Sequence, residues 1–198
     1  LSNDKPERVM LVPTGAGSMR EIAVRGVDRL QTARFLAGEK TLLVVGSSGD
    51  EESRLWRVGI EGGDAQPLSD AVVGSWFYMA ISPDGGHVVT IDANQIPFIW
   101  STDGVTPPRP LPGTETGDLP IHWPAENEIL VCRRDNKKSD VYAIDLTTGA
   151  RRFVQTMRPP DAAGVEGVFP ILYASESDSY VFGYKLLLTS VYIVSGLR

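Results

Sequence analysis

Trp76-Phe77-Tyr78-Met79-Ala80-Ile81, then Ser82-Pro83-Asp84-Gly85-Gly86, then His87-Val88-Val89-Thr90-Ile91: this stretch decides the architecture of the 198-residue chain. Two apolar runs of strand length flank a cluster of turn formers. Pro presets its own φ, and Asp and Gly tolerate positive φ. Phe98-Ile99-Trp100 supplies a third apolar run, and Asp103-Gly104 a second turn. Helical periodicity is nearly absent, so the segment reads strand, turn, strand, loop, strand, turn.

Working outward, the same order of features recurs. The third-strand aromatic falls at Trp56, Phe98, Tyr142 and Tyr192, at intervals of 42, 44 and 50 residues. Gly turns follow at Gly62-Gly63, Gly104 and Gly149. An apolar strand precedes each aromatic: Leu42-Leu43-Val44-Val45, Val88-Val89, Ile129-Leu130-Val131 and Tyr180-Val181-Phe182. A strand-only unit of about 45 residues is the signature of propeller blades. The expected fold is therefore all-β, a β-propeller of about four blades plus an N-terminal hairpin, as part of a larger ring. The repeats run near 22–70, 71–115, 116–160 and 161–198, with the hairpin at 8–24. In this phase the chain starts and stops in mid-blade. Gly26 to Leu36 could read as a short helix, but the repeat register makes Gln31 to Leu36 an innermost strand. Gly15-Ala16-Gly17 lacks the third Gly of a phosphate loop and any following helix, so it is read as the hairpin turn.

Hydrophobic content is 42% and charged content 22%, as in an ordinary globular chain. The 20 Gly and 14 Pro suit many hairpins. A net charge of −6 argues against nucleic acid as a partner, because that footprint is basic. The basic cluster Arg133-Arg134-Asp135-Asn136-Lys137-Lys138 falls between two strands and reads as a solvated hairpin loop. No run of apolar residues is long enough for a membrane-spanning helix, so no membrane contact is expected of this segment itself. The single Cys132 cannot make an internal disulfide and reads as a small buried hydrophobe at a strand end.

Chemistry-bearing motifs are absent. Gly46-Ser47-Ser48-Gly49 has the wrong spacing for a nucleophile elbow, and the kinase catalytic motifs do not occur. His87 and His122 are the only histidines, with no zinc-type spacing. Asp50-Glu51-Glu52 lacks the alternating ligands of a calcium loop and reads as a loop tip. No catalytic residue, no metal site and no cofactor is expected. Asp28, Asp70 and Asp118 precede inner strands at different offsets, and Asp118, nearest to its strand, reads as a turn residue.

Aromatics are the better candidates. Trp76 and Tyr78 fall on one side of an inner strand by alternation, and His122-Trp123 lies on the next inner strand. Two readings stand for these four residues: packing between blades, where large rings bury most area, and an anchor site for a protein or small ligand at the channel face. Thr106 to Pro112, rich in Pro, reads as an outer-edge connection or a polyproline segment.

The turn Ile81 to Val89 resembles the repeat of TolB-like (WD40-like) propellers, which also occurs in prolyl-oligopeptidase and dipeptidyl-peptidase propeller domains. The ending Leu188-Thr189-Ser190-Val191-Tyr192-Ile193-Val194-Ser195-Gly196-Leu197-Arg198 resembles the close of the propeller region of bacterial membrane-anchored serine/threonine protein kinases. Thr189-Ser190 stands where Ser-Asp is usual, and Arg198 where Lys is. The resemblance implies a non-catalytic module for ligand or protein binding, the C-terminal sensor or scaffold region of such a kinase, in an extracytoplasmic, periplasmic position. It equally admits the propeller of a prolyl-oligopeptidase-type serine peptidase without its hydrolase domain, or a stand-alone TolB-type binding protein. Oligomeric state is left open.

Overall fold

Runs of β-branched and large apolar residues pair into antiparallel meanders, each in sequence order. The computed structural model describes residues 8–38, 40–174 and 177–189, and among these not the side chains of Ser75, Trp76 and Phe77. A hairpin opens the chain, β1 (Val9–Leu11) with β2 (Arg20–Ile22). After β3 (Val24–Arg25), the first four-stranded sheet comprises β4 (Arg29–Phe35), β5 (Thr41–Ser47), β6 (Arg54–Gly59) and, beyond β7 (Gly63–Asp64), the edge strand β8 (Gln66–Pro67). β3 and β7 pair in parallel, which ties the hairpin to the first sheet.

The second sheet is β9 (Ser75–Ile81), β10 (His87–Ile91), β11 (Pro97–Ser101) and β12 (Arg109–Pro110). The third is β13 (Asp118–Ala125), β14 (Glu128–Arg134), β15 (Ser139–Asp145) and β16 (Arg151–Met157). β17 (Val165–Ala174) and β18 (Ser179–Leu186) form the last. The architecture is a segment of a β-propeller. Residues 190–198 of the closing motif, Tyr192 among them, lie outside the described residues, as does the side chain of Trp76.

The outer edges are blunted. Pro67 faces Trp56 in the edge strand β8, and Pro110 faces Phe98 in β12. Proline offers no N–H for further pairing, which is why it belongs at an edge.

The Pro-Asp-Gly turn shows how sequence becomes local structure. The Gly85 amide donates to the Ser82 carbonyl at 2.8 Å and the Gly86 amide to Asp84 Oδ1 at 2.8 Å. The His87 amide donates to Ser82 Oγ at 2.9 Å. The Ser82 hydroxyl bond to Asp84, then the Gly86 amide, hold the Asp84 carboxyl below the usual carboxylate range. Gly85 sits at φ 71, and a Cβ there would meet the Ala37 backbone nitrogen at 2.9 Å. Glycine is thus required twice, for its φ and for the close approach of the second blade's turn to the first blade.

The core is split into layers between successive sheets, as quasi-repetitive packing demands. Ile22 and Val27 meet Leu42, Val44, Trp56 and Val58 between the hairpin and the first blade. Leu43, Val45 and Leu55 meet Val88 and Trp100 between the first and second. Ala80, Val89 and Ile99 meet Trp123, Ile129, Val131 and Ile144 between the second and third. Leu119, Cys132 and Val141 meet Val165, Val168 and Ile171 between the third and last. β5 is buried on both faces from Leu42 to Ser47, as expected of a strand sandwiched between two layers. β18 carries apolar side chains on both faces too, yet Leu172 and Val181, paired across the last sheet, are 55% and 65% exposed.

Candidate functional site

Alternation along β13 separates the two residues that the sequence offers as a pair. His122 and Trp123 are adjacent, so their side chains leave opposite faces of the sheet. The His122 ring lies 5.2 Å from that of Tyr173, which lies 4.8 Å from Tyr180, so His122 belongs to the layer against the last sheet. Trp123, 6% exposed, belongs to the layer against the second sheet, with the His87 ring 6.3 Å away. Tyr78 is half-buried beside Ile91, Leu119 and Cys132. The Arg134 guanidinium stands 5.3 Å from the Tyr78 ring and 5.3 Å from the Phe169 ring. Burial raises the Tyr78 phenol above its ordinary value. Tyr78, His122 and Trp123 therefore serve separate contacts and do not converge on one spot.

Burial also lowers the His122 imidazole below its ordinary pKa of 6.5. The unfolded chain takes up this proton first as pH falls, so stability is lost as pH drops from 6.5 through the folded value. Urea midpoints measured at pH 7.5 and pH 5 should differ less in His122→Phe than in the parent chain. An unchanged difference would remove His122 from the pH response.

Acidic side chains of similar position take different roles. Asp28 accepts the Gly49 amide at 2.8 Å, and Asp70 is exposed, 3.7 Å from Arg54. Asp118 is 0% exposed. Its Oδ2 accepts Arg151 Nη1 at 2.6 Å and the Glu115 amide at 2.8 Å, while Oδ1 accepts Arg151 Nη2 at 3.2 Å and lies 2.9 Å from Arg133 Nη2. Asp118 does close a turn at the strand entry, its amide donating to the Glu115 carbonyl at 3.1 Å, and its buried carboxylate is in addition the centre of an ion cluster. Arg133 and Arg134 are drawn from the supposed solvated loop into the end of β14. The loop leading to Asp118 lies against the β15–β16 turn, where a Cβ on Gly113 would meet the Gly149 carbonyl at 2.2 Å. That contact brings Arg151, two residues beyond Gly149, to a carboxylate 33 residues earlier.

The cleft with the richest set of side chains opens above Trp123, between the second and third blades. It measures ≈ 610 Å³. Asp84 comes from the β9–β10 turn, His87 from the start of β10, Arg109 from the edge strand β12, Glu126 and Asn127 from the β13–β14 turn, and Thr147 from the β15–β16 turn. Ile99, Trp123 and Leu146 supply its apolar surface. Neither Arg109 nor Glu126 makes an ion pair among the described residues. Trp123 Nε1 is buried with no acceptor in reach among the described residues. The sequence reading named Trp123 but not its partners, since four separate turns and edges meet there.

Among the described residues no three His, Cys, Asp or Glu side chains gather as metal ligands would. Burial pushes the Cys132 thiol up to about 12, which keeps it protonated and poorly nucleophilic at neutral pH.

No protein-family model matches the chain, and no curated protein does. Solved structures do. TolB from Acinetobacter baumannii superposes with TM-score 0.63 at 11% identity, over 93% of this chain and 50% of that one. A chain of the nidogen/laminin complex gives 0.64 at 13% identity, over 89% of this chain and 66% of that one. The tricorn protease gives 0.57 at 10% identity, over 86% of this chain but 16% of that one. This chain thus spans half of TolB and less than two thirds of the other two. What it shares with them is the fold, a β-propeller.

Proposed function

We propose that this propeller segment is a non-catalytic binding module, and that it binds through the cleft between its second and third blades. The observation that carries this reading is the meeting there of unpaired charge, Arg109 and Glu126, with the apolar surface of Ile99, Trp123 and Leu146. A volume of ≈ 610 Å³ lies within the roughly 300–1,000 Å³ typical of small-molecule pockets. A thermal-shift screen of small polar metabolites against the chain tests it. Ligands that raise the midpoint should lose that effect in Arg109→Gln and Glu126→Gln. Ligands that keep it in both variants would place binding elsewhere.

We further infer that the module is the C-terminal sensor or scaffold region of a bacterial serine/threonine protein kinase, in an extracytoplasmic position. The support is the ending Tyr192 to Arg198 and its likeness to such kinases. Signalling would require two states of the parent that differ in ligand affinity. The complete open reading frame tests this: a kinase domain and a membrane span are expected upstream of Leu1. A hydrolase domain with a Gly-x-Ser-x-Gly segment in the same frame would instead make this the propeller of a peptidase.

A further inference from the structure

We propose that the cleft between the second and third blades takes a small zwitterion, an amino acid or short peptide with free amino and carboxyl groups. This rests on the reading of the cleft as the binding site and adds the class of ligand.

Charge carries the argument first. Arg109 on one wall and Glu126 on another face the same cleft, and neither is neutralised by a protein partner among the described residues. Elsewhere exposed charges do pair, as in Arg20 with Glu61 and Arg25 with Asp64. Asp84 adds a second carboxylate, with Oδ1 occupied by the Ser82 hydroxyl and the Gly86 amide and Oδ2 outside both bonds. A dianion such as phosphate would meet Arg109 but be repelled by Glu126 and Asp84. A polyamine would meet the two carboxylates but be repelled by Arg109. A ligand with one group of each sign satisfies all three. Its carboxylate matches the fork of the Arg109 guanidinium, and its ammonium the carboxylates of Glu126 and Asp84.

The uncharged surface agrees. Trp123 Nε1 is a buried donor without an acceptor, and a buried polar group in that state costs free energy until it is satisfied. Trp100 Nε1 shares that condition, but Trp100 is sealed in the layer between the first two blades, whereas Trp123 lines the cleft. Ile99 and Leu146 stand ready for an apolar side chain. A neutral saccharide fits less well: stacking needs an open ring face, and Trp123 is 6% exposed.

Isothermal titration of the chain with the dipeptide Leu-Leu tests the proposal, beside N-acetyl-Leu-Leu and Leu-Leu amide. The free dipeptide should bind, and each blocked form should bind at least about tenfold more weakly. Arg109→Gln should weaken the free dipeptide and make amidation nearly irrelevant. Glu126→Gln should do the same for acetylation. Both are exposed side chains, so circular dichroism should show an unchanged fold. Equal binding of all three peptides, or no binding of the free one, overturns the proposal. If a neutral disaccharide binds instead and Trp123→Phe weakens it, the zwitterion is refuted while the cleft stands. Binding that none of the three substitutions alters removes both.

Discussion

Asp118→Ala lowers the unfolding free energy by about 3 kcal/mol, the scale for stranding charges when one member of a buried ion pair is removed. The carboxylate is fully buried, and it faces two guanidinium groups and a backbone amide. Without it, Arg151 keeps only its position over the Tyr142 ring, 3.7 Å from the centroid. Arg133 retains Glu115 at 2.7 Å. The loss would therefore fall mainly on Arg151, whose side chain is 18% exposed. Replacing both partners, as Asp118→Leu with Arg151→Met, should recover much of the deficit, because the paired charges return little net stability for their desolvation. Glu115→Gln, at an exposed pair, should cost less than about 1 kcal/mol. Urea unfolding of the four proteins measures the series. A change in Asp118→Ala no larger than in Glu115→Gln would show the cluster to be solvated in practice.

Trp100→Ala costs more, about 4 kcal/mol, on the scale of large-to-small core changes. Trp100 is 2% exposed and packs among Leu43, Val45, Leu55 and Val88 from two blades. Truncation leaves a cavity that two rigid sheets cannot close, so both transfer and cavity terms count. The loss is of contact between blades, not within one. Hydrogen exchange should accordingly quicken in the first two blades and leave β13 to β16 protected, since each repeat contacts only its neighbours. Uniform acceleration through the third blade would mean that the segment unfolds as one unit.

Both predictions concern residues that the sequence made visible to different degrees. Trp100 ends the strand Phe98-Ile99-Trp100, and its burial follows from an apolar strand with a sheet on either side. Asp118 carried no such signal. Its partner Arg151 is 33 residues away, and only the approach of Gly113 to Gly149 brings them together. The basic cluster shows the same limit. Composition made Arg133 and Arg134 part of a solvated loop, while the register Asp118↔Arg133 places the first against a buried carboxylate. The proposed cleft is an intermediate case. Trp123 was named from its type and its strand. Arg109 and Glu126 were not, because a lone charge in a turn has no local pattern to distinguish it from a solvated one.

By itself the sequence determined the strands, their turns and the repeating order that makes blades. These are local properties: alternating or continuous apolar runs, Gly where φ must be positive, Pro where pairing must stop. The tertiary structure alone decided which face of each strand meets which neighbour. It sent His122 and Trp123 into different layers, buried Asp118 among arginines and set charges of both signs around one cleft. Those outcomes depend on the twist and spacing of whole sheets, which no single stretch of the chain encodes.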